Sequence, residues 1–149
     1  MKFKFPLQKV LEHRKLRENL VQKDFQEAQA LYLEQVAKLE KLNQEVSEAY
    51  ARSGELTKQG GAQGPGLMAI HEFLKGQRRR IHLQEQKIQE FEKLVEAKRE
   101  ILRQAVQEYK IMEKMRENKF EAYRLERNAL EQKENDEQSI LRFKAVKES

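Results

Sequence analysis

The feature that most constrains this sequence is an apolar residue at every seventh position through most of its second half. An ideal α-helix has 3.6 residues per turn, so a strict seven-residue repeat stays on one face only if the helix supercoils around a partner. The repeat therefore predicts a long helix packed against another helix. Arg116 is the one charged member of the series Leu74, Ile81, Ile88, Val95, Leu102, Tyr109, Arg116, Tyr123 and Leu130.

The first half of the same chain supplies the expected partner. Two series with seven-residue spacing run through it, and a second, more polar series accompanies the later arm. Several members of the later series are polar, so the predicted seam between the arms is only partly dry. The three series are Phe25, Tyr32, Leu39 and Val46; Ala28, Gln35, Leu42, Ala49 and Leu56; and Ile70, Gln77, Gln84, Phe91, Lys98, Ala105, Met112 and Lys119.

One segment interrupts the helical pattern. The stretch from Ser53 to Gly66 holds five of the six glycines and one of the two prolines, residues that favour turns over helix. We therefore predict an all-α fold, a long two-helix antiparallel coiled-coil hairpin with a longer second helix, forming a single domain over residues 1–149. A dimer whose arms swap between chains is the alternative. The predicted bounds are about 6–52 for helix one, 53–66 for the tip and about 67–145 for helix two.

The predicted arms are unequal. Folded back from the tip, helix one reaches only to about Met112 on helix two, so residues 114–149 are expected to form an overhang. Pro6 suits the first turn of helix one, because its missing N–H is not needed there. Gly76, inside helix two, costs about 1 kcal/mol relative to alanine.

Composition supports this class of fold. The chain is 37% charged and 38% hydrophobic, a profile typical of coiled coils and not of thick globular cores. It has no cysteine, which excludes disulfides and thiolate metal sites. No apolar run approaches the roughly 18 residues of a membrane span, and no secretory apolar segment follows Met1. We expect a cytoplasmic protein.

We find no constellation typical of catalysis. His71 and His82 share a helix face but lie eleven residues apart, too far along the axis to ligate one metal, and His13 is distant in sequence. Gly61 and Gly66 have the glycine spacing of a phosphate-binding loop, but Leu67 follows where that loop needs lysine. The sequence therefore predicts no enzyme, no cofactor and no metal site.

The net charge of +5 is unevenly distributed. Each of two basic clusters is interpreted either as a solvated helix face or as a docking surface for an acidic protein or nucleic acid. Nucleic acid is the weaker hypothesis, because the arginine run is short and lacks interleaved aromatic residues. The clusters are Lys2, Lys4, Lys9, Arg14, Lys15 and Arg17, and then Lys75, Arg78, Arg79 and Arg80.

Two terminal patterns carry a resemblance to a known family. The first is Phe3-x-Phe5-x-Leu7-x-x-Val10-Leu11-x-x-Arg14. The second is Tyr123-x-x-Glu126 followed by Glu131-Gln132-Lys133-x-x-Asp136-Glu137. With a glycine-broken hairpin between them, the whole chain resembles the flagellar export protein FliJ, although the glycine-rich tip is looser than a tight helix-to-helix turn.

The resemblance implies a non-enzymatic stalk in the flagellar type III export apparatus. Such proteins insert the open end of the hairpin into the hexameric flagellar export ATPase, promote its assembly and activity, and couple it to an FlhA-like export gate protein and to export chaperones. It implies a chain that is monomeric when free, binds no nucleic acid, and lies through its partners at the cytoplasmic face of the inner membrane at the flagellar base.

Candidate contact residues follow from this resemblance. Those for the gate or the chaperones are Tyr50, Phe73, Gln77 and Arg80, near the tip. Those for the ATPase lie towards the two ends of the chain and are Lys9, Arg14, Lys15, Arg17, Tyr123, Arg127, Gln132 and Asp136.

Three alternatives stay open at this point. The chain could be a coiled-coil adaptor or chaperone-escort protein that does not touch an ATPase. It could be the corresponding stalk of a virulence-type injectisome. It could also be an RNA-binding hairpin, whose binding would weaken steeply with salt.

Overall fold

Two α-helices make up almost all of the computed structural model, which describes residues 2–60 and 64–148. Helix α1 runs over Gln8–Lys58 and helix α2 over Pro65–Glu148, with 51 and 84 residues respectively. No strand occurs within these described ranges. The helices pack against each other, and the prediction of an all-α antiparallel coiled-coil hairpin with a longer second helix is confirmed.

Helix α1 continues beyond its predicted end at residue 52 and reaches Lys58. A single glycine in a helix costs only about 1 kcal/mol, and a Cβ at Gly54 would meet no atom within 4 Å. The helix ends where Gly60 adopts a φ of 80° and donates its N–H to the carbonyl of Thr57 at 3.2 Å, a bond typical of glycine C-caps. Residues 61–63 of the predicted tip, which include Gly61 of the phosphate-loop comparison, lie outside the described residues.

Proline and glycine also define where the helices begin. Pro65 is the first residue of α2, and the carbonyl of Gly64 accepts the N–H of Leu67 at 3.1 Å. Pro6 lies in a turn just before α1, in which the N–H of Gln8 donates to the carbonyl of Phe5 at 3.1 Å. Both prolines therefore lie at helix starts, where a backbone N–H would have no acceptor within the helix and its absence costs no hydrogen bond.

The chain divides into two compact units. Unit 2 spans Leu20–Arg103, and unit 1 joins Met1–Asn19 with Gln104–Ser149. In both, the buried residues belong mainly to the seven-residue series found in the sequence. The buried apolar side chains are Ala28, Ala49, Leu74 and Val95 in unit 2, and Phe5, Ala105 and Met112 in unit 1.

Two polar layers fix the pairing of the helices in unit 2. The Nε2 of Gln84 donates to the carbonyl of Gln35 at 2.8 Å and to its side-chain oxygen at 3.0 Å. The Nε2 of Gln77 donates to the carbonyl of Leu42 at 3.1 Å and to Glu45 at 2.8 Å. A later residue of α2 thus meets an earlier residue of α1, which establishes the antiparallel direction.

Burial along α2 changes after Met112. From Glu113 to Glu148 every described side chain is exposed except that of Tyr123, which is half-buried. Arg116 and Leu130, both members of the seven-residue series, lie on the surface. The segment is nevertheless helical through Glu148, three residues beyond the predicted end at about 145.

Candidate docking surfaces

The N-terminal basic residues of unit 1 meet a carboxylate of α2. The guanidinium of Arg14 lies 2.7 Å from Oε2 of Glu108, and that of Arg17 lies 2.5 Å from the same oxygen. One carboxylate therefore holds two cations and fixes both side chains in place. An open groove of about 520 Å³ adjoins them, lined by Lys9, Val10, His13, Arg14, Arg17 and Glu108.

Lys15 turns to a different partner in unit 1. Its ammonium lies 4.8 Å from the centroid of the Tyr109 ring and 3.8 Å from Glu18. A side-chain hydrogen bond with Glu113 raises the pKa of Tyr109 above its ordinary value of 10.0, and burial and the charges of Glu113 and Glu18 act in the same direction. Three of the four predicted basic ATPase contacts near the N-terminus, Arg14, Lys15 and Arg17, therefore interact with neighbouring side chains of unit 1.

An aromatic cluster anchors the segment before α1. The Phe3 ring lies 5.3 Å from Phe120, edge to face, and 5.5 Å from Tyr123. The guanidinium of Arg116 lies 5.6 Å from the Phe3 centroid and donates through Nε to Gln8 at 3.1 Å. Aromatic pairs at such distances contribute about 0.5–1.5 kcal/mol beyond their buried area. Tyr123 is therefore partly covered, and only part of its ring faces solvent.

The remaining predicted contacts of unit 1 lie along the exposed part of α2. Arg127 pairs with Glu131 at 3.2 Å, and both Gln132 and Asp136 are exposed. Large apolar side chains are exposed along the same segment. They are Met115, Phe120, Leu125, Leu130, Ile140, Leu141, Phe143 and Val146.

The second predicted surface lies in unit 2. Tyr50 is 54% exposed and Phe73 is 38% exposed. Phe73 borders a groove of about 280 Å³ that is also lined by Ala49, Arg52, Ala69 and Ile70. Arg80 is exposed and donates from Nη1 to the side-chain oxygen of Gln77 at 2.9 Å.

Gln77 does not belong on this surface. Its side chain is 1% exposed, because it lies inside the seam and bonds to the carbonyl of Leu42 and to Glu45. A partner could reach it only by separating the helices. We therefore remove Gln77 from the candidate contacts and assign it to the pairing of the helices.

Sequence reasoning missed Glu108 and the partners of Phe3. Glu108 resembles any other charged residue of α2, and only the pairing of the two helices brings it to Arg14 and Arg17. A register derived from the tip would have placed it there. The contact of Phe3 with Phe120 depends on a non-helical segment, for which periodicity gives no information.

The described residues contain no group of three or more histidine, cysteine, aspartate or glutamate side chains placed to hold a metal ion. Within the same residues, no helix combines the length and the apolar character that crossing a bilayer would require.

Comparison with protein families gives a match over nearly the whole chain. The family is described as flagellar FliJ protein, and the match covers residues 3–148. The chain belongs to the FliJ family. Membership makes it a component of flagellar type III protein export, in a family whose role there is non-catalytic. Neither the curated proteins nor the solved structures contain a significant match to the chain.

Proposed function

We propose that this FliJ-family chain is a non-enzymatic stalk that inserts unit 1 into the hexameric flagellar export ATPase. In this proposal it promotes the assembly and activity of the hexamer. It couples the hexamer to an FlhA-like gate protein and to export chaperones, at the cytoplasmic face of the inner membrane. Its partners are proteins and not nucleic acid, and the free chain is a monomer.

The observation that carries the proposal is the exposed helical segment of α2 beyond Tyr123. An isolated helix in water is marginal, since most helical stability comes from packing an apolar face. This segment nevertheless exposes Leu125, Leu130, Ile140 and Phe143 along a continuous helix. Such a helix has apolar area to bury, and a protein cavity lined by other helices is a suitable place for it.

The basic residues of unit 1 support the same location. Lys9, Arg14, Lys15 and Arg17 lie on α1 in the unit that also contains the exposed segment. Because Glu108 orders the two arginines before any partner arrives, less side-chain entropy is lost when they contact acidic groups.

A truncation separates the exposed segment from the rest of unit 1. Ending the chain after Arg124 removes the segment but keeps Phe120 and Tyr123 on Phe3. We expect the truncated chain to remain helical and to lose stimulation of ATP hydrolysis by the export ATPase. The measurement is the hydrolysis rate and hexamer formation as each chain is titrated onto the ATPase. Full stimulation by the truncated chain would contradict insertion through this end.

A second candidate function rests on the exposed Tyr50 and Phe73 in unit 2. A coiled-coil adaptor for export chaperones or the gate would use this surface without touching an ATPase. Tyr50→Ala and Phe73→Ala would then weaken binding to those partners, whereas the truncation after Arg124 would not. The ATPase titration distinguishes the two functions, because an adaptor that does not touch the ATPase would leave the rate of ATP hydrolysis unchanged.

A further inference from the structure

A groove in unit 2, distinct from the apolar one beside Phe73, combines positive charge with apolar surface. It has a volume of about 500 Å³, and both helices line it. Lys38 and Lys41 come from α1, whereas Arg80 and Lys87 come from α2. Its apolar surface comes from Leu42 and Leu83.

Most of the positive charge in this groove is not neutralised within the chain. Lys38 lies 3.9 Å from Glu34, but Lys41, Arg80 and Lys87 form no ion pair with any residue in the described ranges. Glu45 also lines the groove, and its carboxylate accepts a hydrogen bond from the buried Gln77 at 2.8 Å. The groove therefore carries a net positive charge that an acidic partner would complement.

The apolar part of the groove is open to solvent. Leu83 is 64% exposed although it lies between Arg80 and Lys87 on one face of α2, and Leu42 is half-buried. A polyanion without apolar groups would gain little binding affinity from contact with a leucine side chain. A partner that carries both carboxylates and apolar side chains would use both features.

We infer that this groove binds an acidic amphipathic helix of a partner protein, laid along the two helices as a third one. Arg80 and Lys87 lie seven residues apart, which is about 10 Å along the helix axis. Carboxylates spaced seven apart on a bound helix match that distance, and an apolar residue between them meets Leu83. Arg80 is also one of the candidate gate or chaperone contacts, so the inference deepens the proposed coupling to those partners, whereas it does not depend on the ATPase contact.

A synthetic peptide tests the inference in place of the natural partner. The probe is a fluorescent peptide of about three heptads, with leucine at the seam positions and glutamate beside them. We expect it to bind the full chain at low salt and to bind less tightly as salt rises. Two matched peptides, one with lysine for glutamate and one with alanine for leucine, are expected not to bind.

Variants of the chain test whether the acidic peptide binds in this groove. Lys41→Glu with Lys87→Glu reverses charge in the groove, and we expect the Kd for the acidic peptide to rise at least about tenfold, or about 1.4 kcal/mol. The control is Lys23→Glu with Lys93→Glu, exposed lysines of the same unit outside the groove, with an equal change in net charge. We expect the control to bind like the unaltered chain. Circular dichroism verifies that both variants are helical.

The variant Leu83→Ala distinguishes binding of a protein helix from binding of a polyanion. It should weaken binding of the leucine-containing peptide and leave any binding of a single-stranded oligonucleotide unchanged. The inference is overturned if the acidic peptide does not bind, if the groove and control variants bind it equally, or if the oligonucleotide binds more tightly than the peptide.

Discussion

Helix α2 contains two segments of similar composition with opposite surroundings. Between Leu74 and Met112 its seven-residue series is covered, so that Val95 is 6% exposed. Between Glu113 and Glu148 the series continues through Leu130, which is 46% exposed. The seven-residue series therefore extends into the second segment, although Arg116 interrupts it and Glu137 follows Leu130 at the next position. Only the first segment has α1 packed along it.

A heptad repeat in a sequence therefore indicates which surface a helix can bury, but it does not show that a partner covers that surface. In the exposed segment, helix formation rests on local interactions such as the pairs of Arg124 with Glu121 at 3.0 Å and Arg127 with Glu131 at 3.2 Å. Each such pair contributes only about 0.3–0.5 kcal/mol. The covered segment has tertiary packing in addition, so substitutions in the two segments should have different effects.

The largest contrast is expected for a buried charge. Val95→Asp places an unpaired carboxylate inside the seam and should lower the free energy of unfolding by about 3 kcal/mol or more. Leu130→Asp at a matching heptad position is the control and should change it by less than about 0.5 kcal/mol. Urea unfolding followed by circular dichroism measures both. Equal effects would mean that the exposed segment is packed in the free chain.

A smaller contrast is expected for added volume. Ala105 is buried, and Ala105→Leu should destabilise the chain by about 1–3 kcal/mol because the helices must separate to admit the larger side chain. Ala122→Leu, at an exposed position, should have an effect below about 0.5 kcal/mol. Thermal unfolding of the two variants compares them. A neutral result for Ala105→Leu would show that the seam can widen there without loss.

The smallest effect concerns Tyr109, near the boundary between the segments. Since its pKa is raised, the associated stability is present below the ordinary pKa of 10.0 and is lost as the pH rises through the higher folded value. Glu113→Gln should move the pKa of Tyr109 back towards 10.0, as measured by NMR titration of labelled tyrosine. Glu117→Gln, whose carboxylate lies 3.8 Å from Lys114, is the control and should leave the titration unchanged.

The seam positions of the paired segment could be predicted well because they follow the seven-residue period of the sequence. Leu74, Val95 and Ala105 were assigned to the seam and are buried. The end of α1 was predicted too early because a glycine can either lie within a helix or terminate it. Gly54 does the first and Gly60 does the second, and only the φ angle of Gly60 distinguishes them.

The docking surfaces were less predictable because they depend on contacts between the two helices. Gln77 was predicted both as a member of the seam series and as a docking contact, and its hydrogen bond to the carbonyl of Leu42 places it in the interior. Arg14 and Arg17 were recognised as basic, but their shared carboxylate is 91 residues away from Arg17 in sequence. A pattern read along one helix cannot identify such partners.

The glutamine layers of unit 2 have a mechanical consequence. A seven-residue slip of α2 along α1 in one direction would set Gln35 against Phe91 and Gln84 against Leu42, and in the other direction it would set Gln84 against Ala28. An interior amide that loses its partner costs about 1–3 kcal/mol. A force along the helix axes therefore meets a discrete barrier to sliding, and this part of the molecule can transmit a push or a pull without changing its alignment.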